Sequence, residues 1–537
     1  MFYSVFSNIP ETKVFSTKDS LINFDEADSQ NKISKTKSKE DLSQYGSMKN
    51  EIAEKFEVST KEKNVVLRRT PNTFAEDFVG LEEGSIPQSL VVAAVVGVVC
   101  GISANIYYRV LEWGLNFFWK TLPKQIIIPS WSEWAYPLWI PIVGIFMAIN
   151  LGLSVKYLGD PGDLPTTVKA IHEKGFLGMD HCLPMVVSSL FSIIGGSSVG
   201  PEAPLVAICA CLAGFISRRI FHQTERNIIR KHTLMGMAGA LSALFGAPLG
   251  GSLFALEINS RLGIEYFEHA VEAIFCGEIT LAVFRQSANL SIGPIWEMTN
   301  KAVGPTDAFH ILLGAILGLF GAAIAFCFAK IHKELLGLFR KWDLIDNRNS
   351  LKRALLAAIG ILSIGLFVPQ TMFWGENEFQ VISTLGPVEK LPYVWPTTGL
   401  IDFQMDTAFK CFLVGILKII TISISVAGGY RGGFIFPFFM AGAAFGRSLL
   451  FFFPALSAPY ACLCIAAGIN VAITRTSLAT PVLLAYLSGQ QNILSGVLMA
   501  SLTSLFATSY MVSFFKKMFF KYANKLTLHI ERTVTRF

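Results

Sequence analysis

Charge is what this chain has least of. Of its 537 residues only 16% are Asp, Glu, Lys or Arg, while 52% are hydrophobic, and mean hydropathy is +0.49. A soluble domain carries about 25% charged residues, so the shortfall excludes a water-soluble enzyme, a nucleic-acid module and a disordered scaffold. Histidine is scarce as well, with 8 in the chain, and no H-E-x-x-H, G-x-S-x-G or P-loop pattern occurs. A membrane-embedded enzyme would need a nucleophile with its base, or a set of metal ligands. The chain is therefore expected not to be an enzyme and to hold no metal or cofactor. A disulfide framework is lacking too. The nine cysteines, Cys100, Cys182, Cys209, Cys211, Cys276, Cys327, Cys411, Cys462 and Cys464, are odd in number and lie in or beside apolar segments, as small core residues do. No apolar run follows Met1, so no secretory signal is expected. What remains is an all-α polytopic membrane protein in a lipid bilayer.

The chain divides into a tail and a body. Residues 1–85 are rich in Ser, Lys, Glu, Asn and Asp and carry too little apolar surface to offset their ordering entropy, so a disordered tail is expected there. Long apolar segments follow at Ser89–Tyr108, Trp134–Leu151, Phe309–Ala329, Ala354–Val368, Ala408–Val426 and Ile493–Met511. Most approach the roughly 20 residues that span a bilayer. Shorter ones lie at Cys182–Ile194, Pro204–Ile216, Leu234–Phe245, Pro248–Ile258 and Ala458–Val471, interrupted by Gly and Pro. Basic clusters at Arg218–Lys231 and Lys330–Arg353, with the stretch 516–537, place the connecting loops and both termini on the cytoplasmic side by the positive-inside rule. The net charge of +6 reads as this orientation signal, and no nucleic-acid partner is expected. The stretch 516–537 alternates aromatic and basic residues, as an interfacial helix would.

Three Gly/Pro clusters punctuate the body. They are Gly159-Asp160-Pro161-Gly162-Asp163-Leu164-Pro165, Gly195-Gly196-Ser197-Ser198-Val199-Gly200-Pro201-Glu202-Ala203-Pro204 and Gly428-Gly429-Tyr430-Arg431-Gly432-Gly433-Phe434-Ile435-Phe436-Pro437. In each a proline stands where a helix would begin, which predicts helices at Thr166–Glu173, Leu205–Ile216 and Phe438–Phe452. Irregular backbone at membrane depth is tolerated only where protein buries it or where it lines a polar cavity. A helix N-terminus offers unpaired N–H groups and about half a positive charge. It therefore binds an anion without a fixed cation that would trap it. Glu202 sits at such an N-terminus, where its carboxylate can either cap the helix or compete with a passing anion.

These blocks resemble the CLC family of chloride channels and chloride/proton exchangers. Gly200-Pro201-Glu202-Ala203-Pro204 is similar to the family's G-R-E-G-P block, and Gly432-Gly433-Phe434-Ile435-Phe436-Pro437 to its G-x-F-x-P block. Gly246-Ala247-Pro248-Leu249-Gly250-Gly251, with Leu253-Phe254 and Leu256-Glu257, is similar to the helix pair that follows. Gly375–Ile382 and Arg475–Ser477 with Ala479 match more weakly. The likeness covers about residues 86–515. It implies a fold of two inverted-topology halves, near 86–290 and 305–515, with many tilted and broken helices. It also implies a homodimer with one chloride pathway per subunit. Carried over by motif, Glu202 is the gating glutamate and Gly200 lies in its block. Gly433, Phe434 and Ile435 form the block whose backbone N–H groups hold the central anion.

Three departures modify that expectation. The family's first anion block reads G-S-G-I-P, and here Gly162 takes the serine place, so a hydroxyl is missing; Asp163 is expected to cap the helix beginning near Pro165. Fluoride or nitrate stand beside chloride as candidate anions. The internal proton glutamate of exchangers falls at Ile258, an aliphatic residue that relays no proton, which points to weak or absent proton coupling. A shift of one residue would put Glu257 there and restore a chloride/proton antiporter. The tyrosine that touches the anion corresponds to Phe515, with Tyr510 the alternative. Lys418, Lys410, Arg447, Glu272 and Glu278 interrupt apolar stretches and are expected to pack or to reach the interface. The nucleotide-binding pair of regulatory domains carried by many eukaryotic members has no counterpart here.

Overall fold

A computed structural model describes residues 85–510 apart from 261–268, 297, 299–306 and 392. The basic stretch 516–537, Phe515 and all of the tail but Ser85 lie outside the described residues. The body from Ile86 onward forms one compact unit. It is helical, and among the described residues strand pairing is confined to an isolated bridge between Gly200 and Gly433.

Among the described residues, counting helices of eight residues or more, the first eight are α1 (Ser85–Asn116), α2 (Trp139–Leu158), α3 (Leu164–Lys174), α4 (Cys182–Ile194), α5 (Glu202–Arg219), α6 (Arg226–Phe245), α7 (Pro248–Ser260) and α8 (Ala270–Ala288). A second series follows: α9 (Ala308–Lys341), α10 (Ser350–Phe367), α11 (Glu376–Ser383), α12 (Ala408–Ala427), α13 (Ile435–Leu450), α14 (Ala458–Thr474), α15 (Ala479–Ser488) and α16 (Gln491–Tyr510). The two series match in order. Each opens on its longest helix. Each has a helix, a glycine-rich break and a second helix (α4–α5, α12–α13). Each then has a helix closed by a left-handed residue, Gly246 or Arg475, before a short helix begins. This is the expected two-half architecture.

Among the described residues, six spans are long and apolar enough to cross a membrane: Gln88–Ser130, Glu133–Leu158, Ala308–Lys341, Asn347–Phe367, Ala408–Ala427 and Gln491–Tyr510. Each contains or overlaps one of the six long apolar segments in the sequence. Their outer faces are apolar and unpartnered. On α1, Val91, Val98, Ile102, Ile106, Val110 and Trp113 are exposed along one helical stripe, a surface that only lipid or another apolar body would cover. Polar side chains such as Ser192, Ser425, Thr421 and Asn470 are buried instead. The protein is an integral multi-pass membrane protein.

Helix starts differ from the sequence expectation. The prolines lie inside the first turn: α5 begins at Glu202 and α13 at Ile435, ahead of Pro204 and Pro437. A first-turn residue has no intrahelical acceptor for its N–H, so proline costs nothing there. Helix α8 was hidden in the sequence because Glu272 and Glu278 interrupt its apolar run. In the fold Glu272 pairs with Lys231, which removes the cost of an unpaired buried charge.

Close backbone approach fixes the packing of the core helices. Helix α14 lies on α9 and α13, and a Cβ at Gly321 would stand 2.8 Å from Gly468 Cα and 2.8 Å from Ile469 N. Backbone atoms cannot yield as a side-chain tip can. Gly321→Val should therefore destabilise the protein by about 1–3 kcal/mol, read as a lower melting midpoint in detergent. Gly337→Val is the control on the same helix, since an added Cβ there meets nothing within 4 Å.

Candidate anion site

The site is built where the two glycine-rich breaks meet. Helix α4 ends at Gly195 and Gly196, the second at φ +78°, and α12 ends in the same way at Gly428 and Gly429, the second at φ +82°. A left-handed conformation at these second positions is what glycine allows. The two chains then bond to each other. Gly200 N–H donates to Gly433 O at 2.8 Å and Gly433 N–H to Gly200 O at 2.7 Å. Further out, Ser198 N–H donates to Ser425 Oγ at 3.2 Å, and Arg431 N–H donates to Ser192 Oγ at 2.9 Å. Within each of these reciprocal sets, equivalent residues are equally far apart in the chain, so the breaks are related by a local two-fold exchange.

Helices α5 and α13 start at this crossing, and neither carries a capping side chain of its own. By contrast α3, α9 and α12 are capped by Asp163, Asp307 and Thr407. The expected role of Asp163 is thus present: it accepts Thr166 N–H at 3.0 Å.

Glu202 fills the gap left at α13. It is 1% exposed, and its Oε1 accepts the Phe436 N–H at 2.9 Å. Its Oε2 is buried with no hydrogen-bond partner. Gly200 and Gly433 make room for it, because a Cβ on either would stand 2.2 Å from Oε2. A cavity adjoins the carboxylate. Its lining comes from α3 (Leu164), α5 (Glu202, Ala203, Val206), α6 and α7 (Met237, Leu241, Phe254, Ile258), the α13 start (Gly433, Phe434, Ile435) and Thr474. In chemical terms this is an apolar chamber with a helix N-terminus at one wall and a carboxylate sitting where an anion would sit.

A family profile described as voltage gated chloride channel matches residues 162–509. The chain belongs to that family. YfeO of Shigella boydii serotype 4 (strain Sb227), provisionally named an ion-transport protein, is 24% identical over 399 residues, covering 71% of this chain and 84% of YfeO. YfeO of Escherichia coli O139:H28 matches at the same identity and coverage. A slow cyanobacterial Cl−/H+ antiporter has the same fold, with TM-score 0.63 at 18% identity over 79% of this chain and 95% of its own. A CLC-type fluoride/proton antiporter matches with TM-score 0.60 at 18% identity over 80% and 98%. The chain is thus a CLC-family anion-transport protein.

The fold brings Glu202, Gly200, Gly433, Phe434, Ile435 and Ile258 together. Gly162 stands apart from the cavity lining, and its N–H is taken by Asp160 Oδ1 at 2.9 Å. Phe515 lies outside the described residues, and Tyr510, at the end of α16, is exposed. Ile258 lines the cavity, while Glu257 points to the start of α15. There it accepts Ala479 N–H at 2.9 Å, Leu478 N–H at 3.1 Å and Ser477 Oγ at 3.2 Å. Lys418 does not reach an interface. It is fully buried and donates to the carbonyls of Thr371, Met372 and Phe373 at 3.1, 3.1 and 2.6 Å, so it binds a chain turn. Arg447 donates to Gly386 O at 2.8 Å, and Lys410 pairs with Asp406 at 2.9 Å. Glu278 is exposed on α8.

Sequence reading missed the paired serines Ser192 and Ser425, which look like ordinary small residues of apolar helices. It also missed Thr474, the cavity's other polar side chain, and the contact between Arg431 and Asp160. Only the spacing of the serines from the two Gly-Gly pairs could have flagged them.

Because Glu257 caps α15, its removal leaves the Leu478 and Ala479 N–H groups without this acceptor. Glu257→Ala should lower stability by about 1–2 kcal/mol, seen as a lower melting midpoint, while anion flux per folded molecule stays at the parental level.

Proposed function

We propose that this protein conducts chloride through a site at the N-terminus of α13, gated by Glu202, with weak or absent proton coupling. The observation that carries the reading is the Glu202 carboxylate on the Phe436 N–H, with its second oxygen unpartnered beside the cavity. The carboxylate and a chloride ion compete for the same donor. Ionised Glu202 holds the N–H and repels the incoming anion. Protonated Glu202 loses the charge that the helix end attracts and leaves the donor to chloride. Conduction thus rises as pH falls. A backbone donor binds firmly enough to admit an ion and, with no fixed cation on it, weakly enough to release it.

Weak coupling follows from Ile258, which presents a hydrocarbon to the cavity where a proton carrier would be needed, while Glu257 is engaged at α15. The unit of function is a homodimer with one pathway per subunit, and both termini are cytoplasmic, as the basic loops imply. A second reading, transport of another small anion such as fluoride or nitrate, is favoured by one observation. The first anion block has no hydroxyl at Gly162, and its N–H is occupied by Asp160.

Paired chloride and proton fluxes from purified protein in sealed liposomes test the proposal. The parent should pass chloride faster at acidic pH, with little accompanying proton movement. Glu202→Gln should be pH-insensitive and hold the acidic-level flux at neutral pH. A hydrogen bond to a charged group contributes about 1.5–3 kcal/mol, so its loss should raise site availability about ten- to a hundredfold. An unchanged pH response in Glu202→Gln would sink the gate, and stoichiometric proton uptake driven by a chloride gradient would sink the weak coupling. An anion series in the same vesicles decides between chloride, fluoride and nitrate.

A further inference from the structure

We propose that Asp160 and Arg431 form a second anion station, in which Asp160 is a tethered occupant and Arg431 the fixed cation. The inference rests on the anion-transport reading above and extends it to a site in the first glycine-rich block. Asp160 Oδ1 accepts two donors at once: Arg431 Nη2 at 2.5 Å and Gly162 N–H at 2.9 Å. One backbone N–H with one guanidinium arm is a donor set suited to a small monovalent anion. A carboxylate already sits in it, as Glu202 sits on the Phe436 N–H.

The two partners differ in freedom. Arg431 is 9% exposed, its backbone N–H is tied to Ser192, and its Nε is buried without a partner. It therefore has donor capacity that Asp160 does not use. The Asp160 side chain is 26% exposed and has free space to move into. A buried guanidinium left without a counter-charge is strongly unfavourable, so departure of Asp160 and arrival of an anion are coupled. Exchange at the station is then a replacement of one negative charge by another. Position in the chain ties the station to the pathway. Arg431 is two residues before Gly433, and Gly162 is two residues before Leu164, and both Gly433 and Leu164 line the cavity. The station thus joins the first half to the second at the place where the sequence lost its hydroxyl ligand. A purely structural ion pair would share the geometry but would leave anion affinity unaffected by its removal.

Chloride titration of the purified full chain separates the two, followed by its intrinsic tryptophan fluorescence or by heat, with flux measured in liposomes. Asp160→Asn keeps an oxygen for the Gly162 N–H and removes the competing charge. It should bind chloride about tenfold more tightly, with flux saturating at lower chloride and a lower maximum. Arg431→Gln should bind several-fold more weakly than the parent, Arg431→Lys within about twofold of it, and the double variant should lose the gain of Asp160→Asn. Parental affinity in a monodisperse Asp160→Asn, or in Arg431→Gln should the first not fold, overturns the proposal. Glu202→Gln is run alongside. A response at position 160 with none at 202 keeps the station and removes the gate, and the reverse keeps the gate and removes the station.

Discussion

Everything in the core hangs on how two interrupted helices satisfy each other's backbone. A break at membrane depth exposes N–H and C=O groups that hydrocarbon cannot solvate. The protein meets this by setting two breaks face to face, so that Gly200 and Gly433 exchange both hydrogen bonds and Ser192 and Ser425 take the next N–H groups along. The solution needs two equivalent segments, which the doubled series of eight helices supplies. It also leaves the first turns of α5 and α13 without caps of their own, and at α13 it is Glu202 that takes up the Phe436 N–H, the donor for which the proposal has an anion compete. The requirement for satisfied backbone and the proposed means of binding an ion thus come from one arrangement.

The same constraint explains the scarcity of charge. On the proposed reading the groups that act on an anion are mostly backbone N–H groups, which a composition count never sees. Several of the ionisable side chains inside are given a partner. Lys418 is set on three carbonyls, Glu257 on the start of α15, Glu272 against Lys231 and Arg431 against Asp160. Glu202 stands at the cavity with one oxygen on the Phe436 N–H and the other without a hydrogen bond. A buried carboxylate kept half-satisfied is costly, which is the physical basis of the gate proposed above.

Much of this was legible in the residues. Six long apolar runs became the six spans, and the Gly/Pro clusters around Glu202 and Phe434 became the crossing. These were readable because apolar length and glycine frequency are local properties. The helix starts at Glu202 and Ile435 were placed late because proline marks the first turn and not a single position in it. Helix α8 was lost because pairing of Glu272 with Lys231 is a long-range event. The serines that lock the breaks, Thr474 at the cavity and the Asp160–Arg431 contact all depend on which distant segment lies opposite. Ile258 against Glu257 was a question of one residue, and neighbouring helix positions point in different directions; only the fold shows that the first faces the cavity and the second faces α15.

The central claim is that Glu202 and the transported anion compete for the Phe436 N–H. Its most direct test is the crystal structure of Glu202→Ala grown in bromide, with anomalous scattering to locate the ion. The account predicts a bromide within hydrogen-bonding distance of Phe436 N, in the space the carboxylate leaves. A well-ordered α13 start with that space free of bromide, at a concentration where the ion binds elsewhere in the protein, would contradict it.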